Sequence, residues 1–275
     1  MVNRSYKLGI CHWSLPIDGP YACRTASELG FEGIQLEIGS YERGFPVSRR
    51  TVQQAYLGLA EQYGIAFPSI AVRVTDAYSM TQPPDSVDSG IVKEAIMRSI
   101  EAAEAMNIPT VMIPSFQVSD IVSEQDLIRS AEMLISACDY AQQRGIAVAT
   151  ENLLAAQMMF RLAEIVNRPN LKLYFDTQNY ALFRGYDAPA MLKELAPLLG
   201  DEIHVKDGKH GKISSSLLGE GDSGFYRSME VLKEIGYNGW IILENYYDQL
   251  PLRSKHDEPE SLIKEDMRLL IKALS

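Results

Sequence analysis

Four short apolar runs in this 275-residue chain each end in a side chain that can move a proton or hold a metal ion. ATE closes on Glu151, YFD on Asp176, EIH on His204 and IILE on Glu244. The stretch 201–208, DEIHVKDG, is the richest. It sets β-prone Ile203 and Val205 among an imidazole, the Lys206 ammonium and the Asp207 carboxylate, and then a glycine. Packing alone does not call for that mixture. Taken singly, each residue reads as an ordinary polar group where a buried strand gives way to a loop. Taken jointly, at the same point of four successive units, they aim one nitrogen and three carboxylates at a common centre. Three carboxylates side by side repel one another, and a divalent cation is the simplest compensation. One imidazole with several oxygens suits a moderately hard ion. Mn²⁺ is the first choice, with Mg²⁺, Co²⁺ and Zn²⁺ as options.

The rest of the chain supplies the elements that must position these ends. Strands are expected at 6–11, 33–38, 65–73, 109–113, 146–151, 171–176, 203–206 and 240–244. Helices are expected at 22–29, 48–63, 89–106, 123–144, 158–166, 188–199, 226–235 and 261–274. The helix at 89–106 is the clearest: Ile91, Val92, Ala95, Ile96, Ile100 and Ala103 fall on one stripe, with charged residues elsewhere. The helix after it opens on Ser-Glu-Gln-Asp, a run able to cap free backbone N–H groups. Alternating strands and helices with short links imply parallel strands and right-handed crossovers. Eight such units, with no linker between them, predict an α/β fold, a single-domain (β/α)8 TIM barrel over 1–275. An open doubly wound sheet would want a glycine-rich phosphate loop after an early strand, and ICHWSLPIDGP contains no G-x-G-x-x-G. In a barrel all strand C-terminal ends share one face, and that face holds the site.

Composition narrows the function classes. Hydrophobic residues at 46% and charged residues at 23% are those of a soluble globular protein. A formal net charge of −10 argues against a nucleic-acid partner. The start, MVNRSYKLGICHW, has no long apolar stretch, and no run is long enough to span a bilayer, so no membrane partner is expected. Cys11, Cys23 and Cys138 are odd in number and widely spaced, which reads as reduced, buried thiols in a cytoplasmic protein. A homo-oligomer is compatible with all of this.

Other residues fall on the same expected face. His12 and Trp13 follow the first strand; the indole could stack on a sugar or simply pack. Glu37 and Arg73 end the second and third strands, as substrate contacts or as a structural pair on the rim. The loop 74–87 reads equally as a lid or as a surface loop. Lys209, His210 and Lys212 could hold a phosphate or be solvated, and Gly219-Glu220-Gly221 could shape the rim.

With Glu, Asp, His in H-V-K-D and Glu closing strands five to eight, the chain resembles the xylose isomerase-like barrels. The segment 218–245, LGEGDSGFYRSMEVLKEIGYNGWIILEN, is similar to that family's loop-seven, helix and strand-eight stretch. The resemblance implies one divalent metal held by Glu151, Asp176, His204 and Glu244, and a sugar or sugar phosphate as substrate. In the ketose 3-epimerases of this family the two Glu also form the acid–base pair: one removes a proton beside a metal-polarised carbonyl, the other returns one to the opposite face of an enediolate. The resemblance therefore implies an isomerase, a ketose or ketose-phosphate 3-epimerase. Apart from the resemblance, Lys206 follows His204 in the sequence and could hold a substrate oxygen or a phosphate. Two positions depart from common members. Asn179 stands where many have His, as in the pentulose-phosphate 3-epimerases, and Gln157 stands where several free-ketose epimerases have an acid. Two alternatives stay open: a dehydratase of a cyclic or keto polyol, in which enediolate formation is followed by loss of hydroxide, and a non-catalytic polyol-binding barrel.

Overall fold

Parallel strands covered on both faces are mostly apolar, and so are most strand positions of this protein. The structure, a computed structural model, describes residues 5–275; residues 1–4, part of the chain start considered above, lie outside the described residues. The strands are β1 (Lys7–Cys11), β2 (Gly33–Glu37), β3 (Ser69–Ala71), β4 (Thr110–Pro114), β5 (Ala147–Glu151), β6 (Leu171–Asp176), β7 (Leu199–Val205) and β8 (Trp240–Leu243). Leu8, Ile10, Ile34, Val111, Val148, Leu173, Ile203 and Leu243 are fully buried. The strands pair in chain order as a closed barrel. Closure is the parallel pairing of β8 with β1, from Lys7 opposite Trp240 to Ile10 opposite Leu243. The expected (β/α)8 fold is the fold found.

The helices are α1 (Ala22–Leu29), α2 (Arg50–Tyr63), α3 (Val87–Met106), α4 (Glu124–Gln142), α5 (Ala156–Val166), α6 (Asn179–Arg184), α7 (Ala188–Leu195), α8 (Phe225–Glu234) and α9 (Pro259–Leu274). The expected cap on α4 is present in reciprocal form. The Asp126 N–H donates to Ser123 Oγ at 3.2 Å, and the Ser123 N–H donates to Asp126 Oδ2 at 2.9 Å.

Packing resolves two compact groups. One comprises the chain up to Gln35, Leu59–Ala66 and Phe175–Ser275; it carries β1, β7 and β8. The other comprises Leu36–Gly58 and Phe67–Tyr174; it carries β3, β4 and β5. The division falls inside β2, α2 and β6.

Three expectations about elements are corrected. The third strand, expected over 65–73, is only Ser69–Ala71. Pro68 has no N–H to give a ladder, and a 3₁₀ turn at Arg73–Asp76 ends the run. The helix expected over 188–199 stops at Leu195 and tightens to a 3₁₀ turn at Ala196–Leu198, where Pro197 cannot continue the α pattern. A short helix, α6, was not anticipated; it closes on Gly185 in the left-handed conformation. The loop over 74–87 is pinned rather than loose. The Met80 N–H donates to Ser119 Oγ, Arg129 donates to the Thr81 carbonyl, and the Met80 side chain is buried.

Candidate metal centre

Side chains alternate along a strand, so β7 sends Ile203 and Val205 one way and His204 the other. His204 is fully buried. Its Nδ1 lies 3.3 Å from Glu244 Oε2. Its Nε2 lies 2.6 Å from Gln35 Oε1 and 3.4 Å from Cys11 Sγ. Glu244 is the first residue past β8, and its N–H still donates to the Val205 carbonyl, so the ladder holds the residue in place. The two oxygens of Glu244 are engaged separately: the Trp13 indole N–H donates to Oε1 at 3.2 Å, and Lys206 Nζ donates to Oε2 at 2.5 Å. The same ammonium stands 3.2 Å from Asp176 Oδ2. The other Asp176 oxygen accepts the N–H groups of Gln178 at 2.8 Å and Asn179 at 2.6 Å. Those are free amides at the start of α6, so the unanticipated helix orients this carboxylate.

The ligand-capable atoms of Asp176, His204 and Glu244 lie within 4.8 Å of one another, and all three residues are buried. Two acids and an imidazole compressed to that separation, with a buried lysine as counter-charge, form a donor set that fits a divalent ion. A metal-ligating imidazole needs one bare nitrogen facing the ion and a partner for the proton on the other. In His204, Nδ1 faces the carboxylates and Nε2 lies against Gln35. Glu151, the last residue of β5, is also buried; its carbonyl accepts from the Ser115 N–H at 2.8 Å.

The other expected residues divide. Lys206 and Trp13 belong to this cluster, and the Trp13 indole orients a carboxylate. His12 sits in a single 3₁₀ turn with Nε2 3.3 Å from the Gly19 carbonyl. Asn179 is buried and lends its backbone N–H to Asp176. Glu37 and Arg73 pair with each other at 3.4 Å, and Asp76 stands 3.8 Å from the same guanidinium. They line a cavity of about 270 Å³ with Tyr41, Glu42 and Tyr78. His210 and Lys212 are exposed, as solvated loop residues are.

The loop between β7 and α8 is built on Asp207. Its oxygens accept from the N–H groups of Gly208, Gly219 and Gly221, and from the Ser223 hydroxyl at 2.6 Å. Glycine is required at 221: a Cβ there would stand 2.0 Å from Asp207 Oδ1. Asp266 of α9 fastens the far side of the loop, accepting from Leu218 N–H, Asn245 Nδ2 and Tyr247 Oη at 2.7–2.9 Å. Burial pushes the Asp266 carboxyl up to about 7 against the opposing pull of those donors. Burial likewise raises the Cys23 and Cys138 thiols to about 11 and 12, in keeping with inert core cysteines.

Residues 23–273 match the family model of the xylose isomerase-like TIM barrel. This chain belongs to that family. Among curated relatives of this xylose isomerase-like barrel is 2-epi-5-epi-valiolone 7-phosphate 2-epimerase of an Actinoplanes species, 30% identical over 82% of each chain. Another is L-ribulose-5-phosphate 3-epimerase UlaE of Salmonella heidelberg, 24% identical over 89% of this chain and 88% of that one. Among solved structures, D-psicose 3-epimerase from Clostridium cellulolyticum H10, crystallised with D-tagatose, superposes with a TM-score of 0.79 at 16% identity, covering 98% of this chain and 99% of that one. The curated relatives named here are epimerases, and this chain is an enzyme of that isomerase class. Among the described residues no helix is long and apolar enough to cross a membrane.

Two residues of the cluster were not anticipated. Gln35 was passed over, although an amide in the middle of the buried strand GIQLE is a signal in itself. Cys11, expected as a reduced, buried thiol, lies against both Gln35 and His204.

Proposed function

We propose that this chain is a cytoplasmic, divalent-metal-dependent epimerase of a ketose or ketose phosphate, inverting the carbon beside the carbonyl, with carbon 3 as the first choice. The observation that carries the reading is the convergence of Asp176, His204 and Glu244 in a buried cluster with His204 Nδ1 facing the acids. On this reading Glu151, buried at the end of β5, is the fourth ligand. Mn²⁺ is the preferred ion for this nitrogen-and-oxygen set. When bound, the ion supplies Lewis-acid stabilisation of the oxygen that gains charge as the adjacent C–H ionises.

The chain's own residues do the rest. Glu151 and Glu244 move the protons, one on each face of a planar enediolate; inversion is most simply served by two such groups. Trp13 and Lys206 hold the two oxygens of Glu244, which fixes the plane of that carboxylate. Lys206 also carries a positive charge to where substrate oxygens gather, and burial of the cluster strengthens each of these interactions. The relatives support a phosphorylated substrate, and the Actinoplanes enzyme widens the class to include cyclic keto substrates inverted at carbon 2.

The test uses chelator-stripped protein reloaded with Mn²⁺, Mg²⁺, Co²⁺ or Zn²⁺ in heavy water. The panel holds L-ribulose 5-phosphate, 2-epi-5-epi-valiolone 7-phosphate and unphosphorylated ketoses. Epimer formation with deuterium at the carbon next to the carbonyl is the expected result, and stripping should abolish it. No epimer and no deuterium from any member, with any of the four ions, overturns the reading. An ultraviolet-absorbing enone product would place the enzyme with dehydratases instead.

A further inference from the structure

A neutral imidazole has one protonated and one bare nitrogen, and the bond made at one nitrogen decides the state of the other. In β2 of this protein that decision falls to an amide. We infer that Gln35 is a positioning residue for His204: its Oε1 holds the proton on Nε2, which keeps the Nδ1 lone pair directed at Asp176 and Glu244. The inference rests on the metal-dependent reading of the same cluster.

The geometry comes from the strand register. β1 and β2 pair with Cys11 opposite Gln35, so the two side chains lie next to each other. Gln35 is fully buried, and its Oε1 is 2.6 Å from His204 Nε2. The Cys11 thiol donates to the same oxygen at 3.3 Å. A second donor on that oxygen holds the amide with its oxygen, not its NH₂, toward the ring. Reversing the amide would set NH₂ against the thiol and force Nε2 to accept, moving the ring proton to Nδ1. Nδ1 lies 3.3 Å from Glu244 Oε2, and a proton placed on it would take up the lone pair and block the ring as a ligand.

The choice of an amide has a reason of its own. Histidine ligands commonly hand their second N–H to a carboxylate or a carbonyl. Asp176 and Glu244 already crowd His204, and a further carboxylate would add like-charge repulsion in a buried space. An amide oxygen accepts the same proton without charge.

The experiment measures the Mn²⁺ dissociation constant of the full-length, chelator-stripped protein by titration calorimetry, for wild type, Gln35→Met and Gln35→Glu. Methionine keeps the volume and removes the amide acceptor, whereas glutamate keeps an acceptor. Gln35→Met should bind Mn²⁺ about 10- to 100-fold more weakly, the range for loss of a supporting bond to a ligand histidine. Its stripped form should melt close to stripped wild type. Gln35→Glu should bind at least as tightly as wild type to within about threefold, the result that distinguishes an acceptor from a packing group. Should Gln35→Met fail to fold, Gln35→Asn withdraws the oxygen by one methylene and is read in the same way. A folded Gln35→Met or Gln35→Asn with wild-type affinity overturns the inference, as does a Gln35→Glu as weak as Gln35→Met. Wild-type protein that binds none of the four ions removes the metal reading itself, and this inference with it.

Discussion

Two pairs of buried acids lie within Phe175–Ser275 and are satisfied in opposite ways. Asp207 and Asp266 are answered by backbone amides and neutral side chains: three glycine N–H groups and a serine for Asp207, and Leu218, Asn245 and Tyr247 for Asp266. Asp176 and Glu244 are answered in part by one lysine ammonium between them, and Glu244 also faces an imidazole. A carboxylate surrounded by fixed amides is finished: it ties a loop and has little to offer a ligand. A carboxylate compensated by a side-chain ammonium keeps an oxygen that a metal ion or a substrate can claim. The difference between scaffold and site here is therefore in the identity of the donors, since both pairs are equally buried.

The sharpest way to break that contrast is to remove the charge from a site acid. Glu244→Gln keeps the size and one oxygen ligand but cannot take a proton. Turnover should fall about 10²- to 10⁴-fold, the scale of a lost general base, with metal still bound by elemental analysis. Near-normal turnover would put Glu244 with the scaffold acids.

Lys206→Met addresses the other partner. Lys206 touches the two acids, so its loss should register in metal binding as well as in catalysis. The stripped variant should lose about 3–5 kcal/mol of stability, as when a buried pair is broken. Added Mn²⁺ should then raise its melting temperature by more than it raises that of wild type, because a metal ion and an ammonium compensate the same oxygens. An equal metal-induced shift in both proteins would mean that Lys206 and the ion do not share those acids.

Asp207→Asn tests the scaffold half. It removes a charge that accepts several hydrogen bonds, and should cost about 2–3 kcal/mol in denaturant unfolding. The Mn²⁺ dissociation constant should stay within a few-fold of wild type. A loss of metal affinity as large as that of a ligand variant would erase the distinction between the two pairs.

How much of this was legible in the sequence follows the same line. The barrel was readable because eight apolar runs and their helices repeat, and burial on both faces leaves a plain apolar signature. Asp176, His204 and Glu244 were readable because they interrupt that signature at strand ends. Gln35 interrupts it too, yet one amide in a strand carries no spacing pattern, and only the register with Cys11 shows what it faces. Glu37 ends β2, Arg73 opens the 3₁₀ turn after β3, and the two pair with each other, so position alone did not separate a rim pair from a ligand. Helix α6 is six residues long, too short for an apolar period, and its role toward Asp176 is made by backbone N–H groups that no side-chain pattern records. The scaffold role of Asp207 depends on amides from three separate points of one loop, which only the folded loop brings together.

The last prediction concerns Asp266, and it is a matter of pH. Burial raises this carboxyl from an ordinary value of 3.8 to about 7, against the hydrogen bonds from Leu218, Asn245 and Tyr247 that pull it down; the Asp207 charge adds to the rise. Because the folded-state value is the higher one, the native protein holds a proton that the unfolded chain has released between about pH 4 and 7. The stabilisation from this group is thus full below the unfolded value and is lost as pH climbs through the folded one. The slope contributed by one such group is at most about 1.4 kcal/mol per pH unit. Asp266→Asn removes the titration and keeps an acceptor oxygen. Denaturant unfolding of stripped wild type and variant at pH 5, 6, 7 and 8 should show a difference that narrows steadily from pH 5 to 7 and levels above. A difference independent of pH would mean that Asp266 is ionised throughout, satisfied by its amides as fully as Asp207, and the two scaffold acids would then be alike in charge as well as in role.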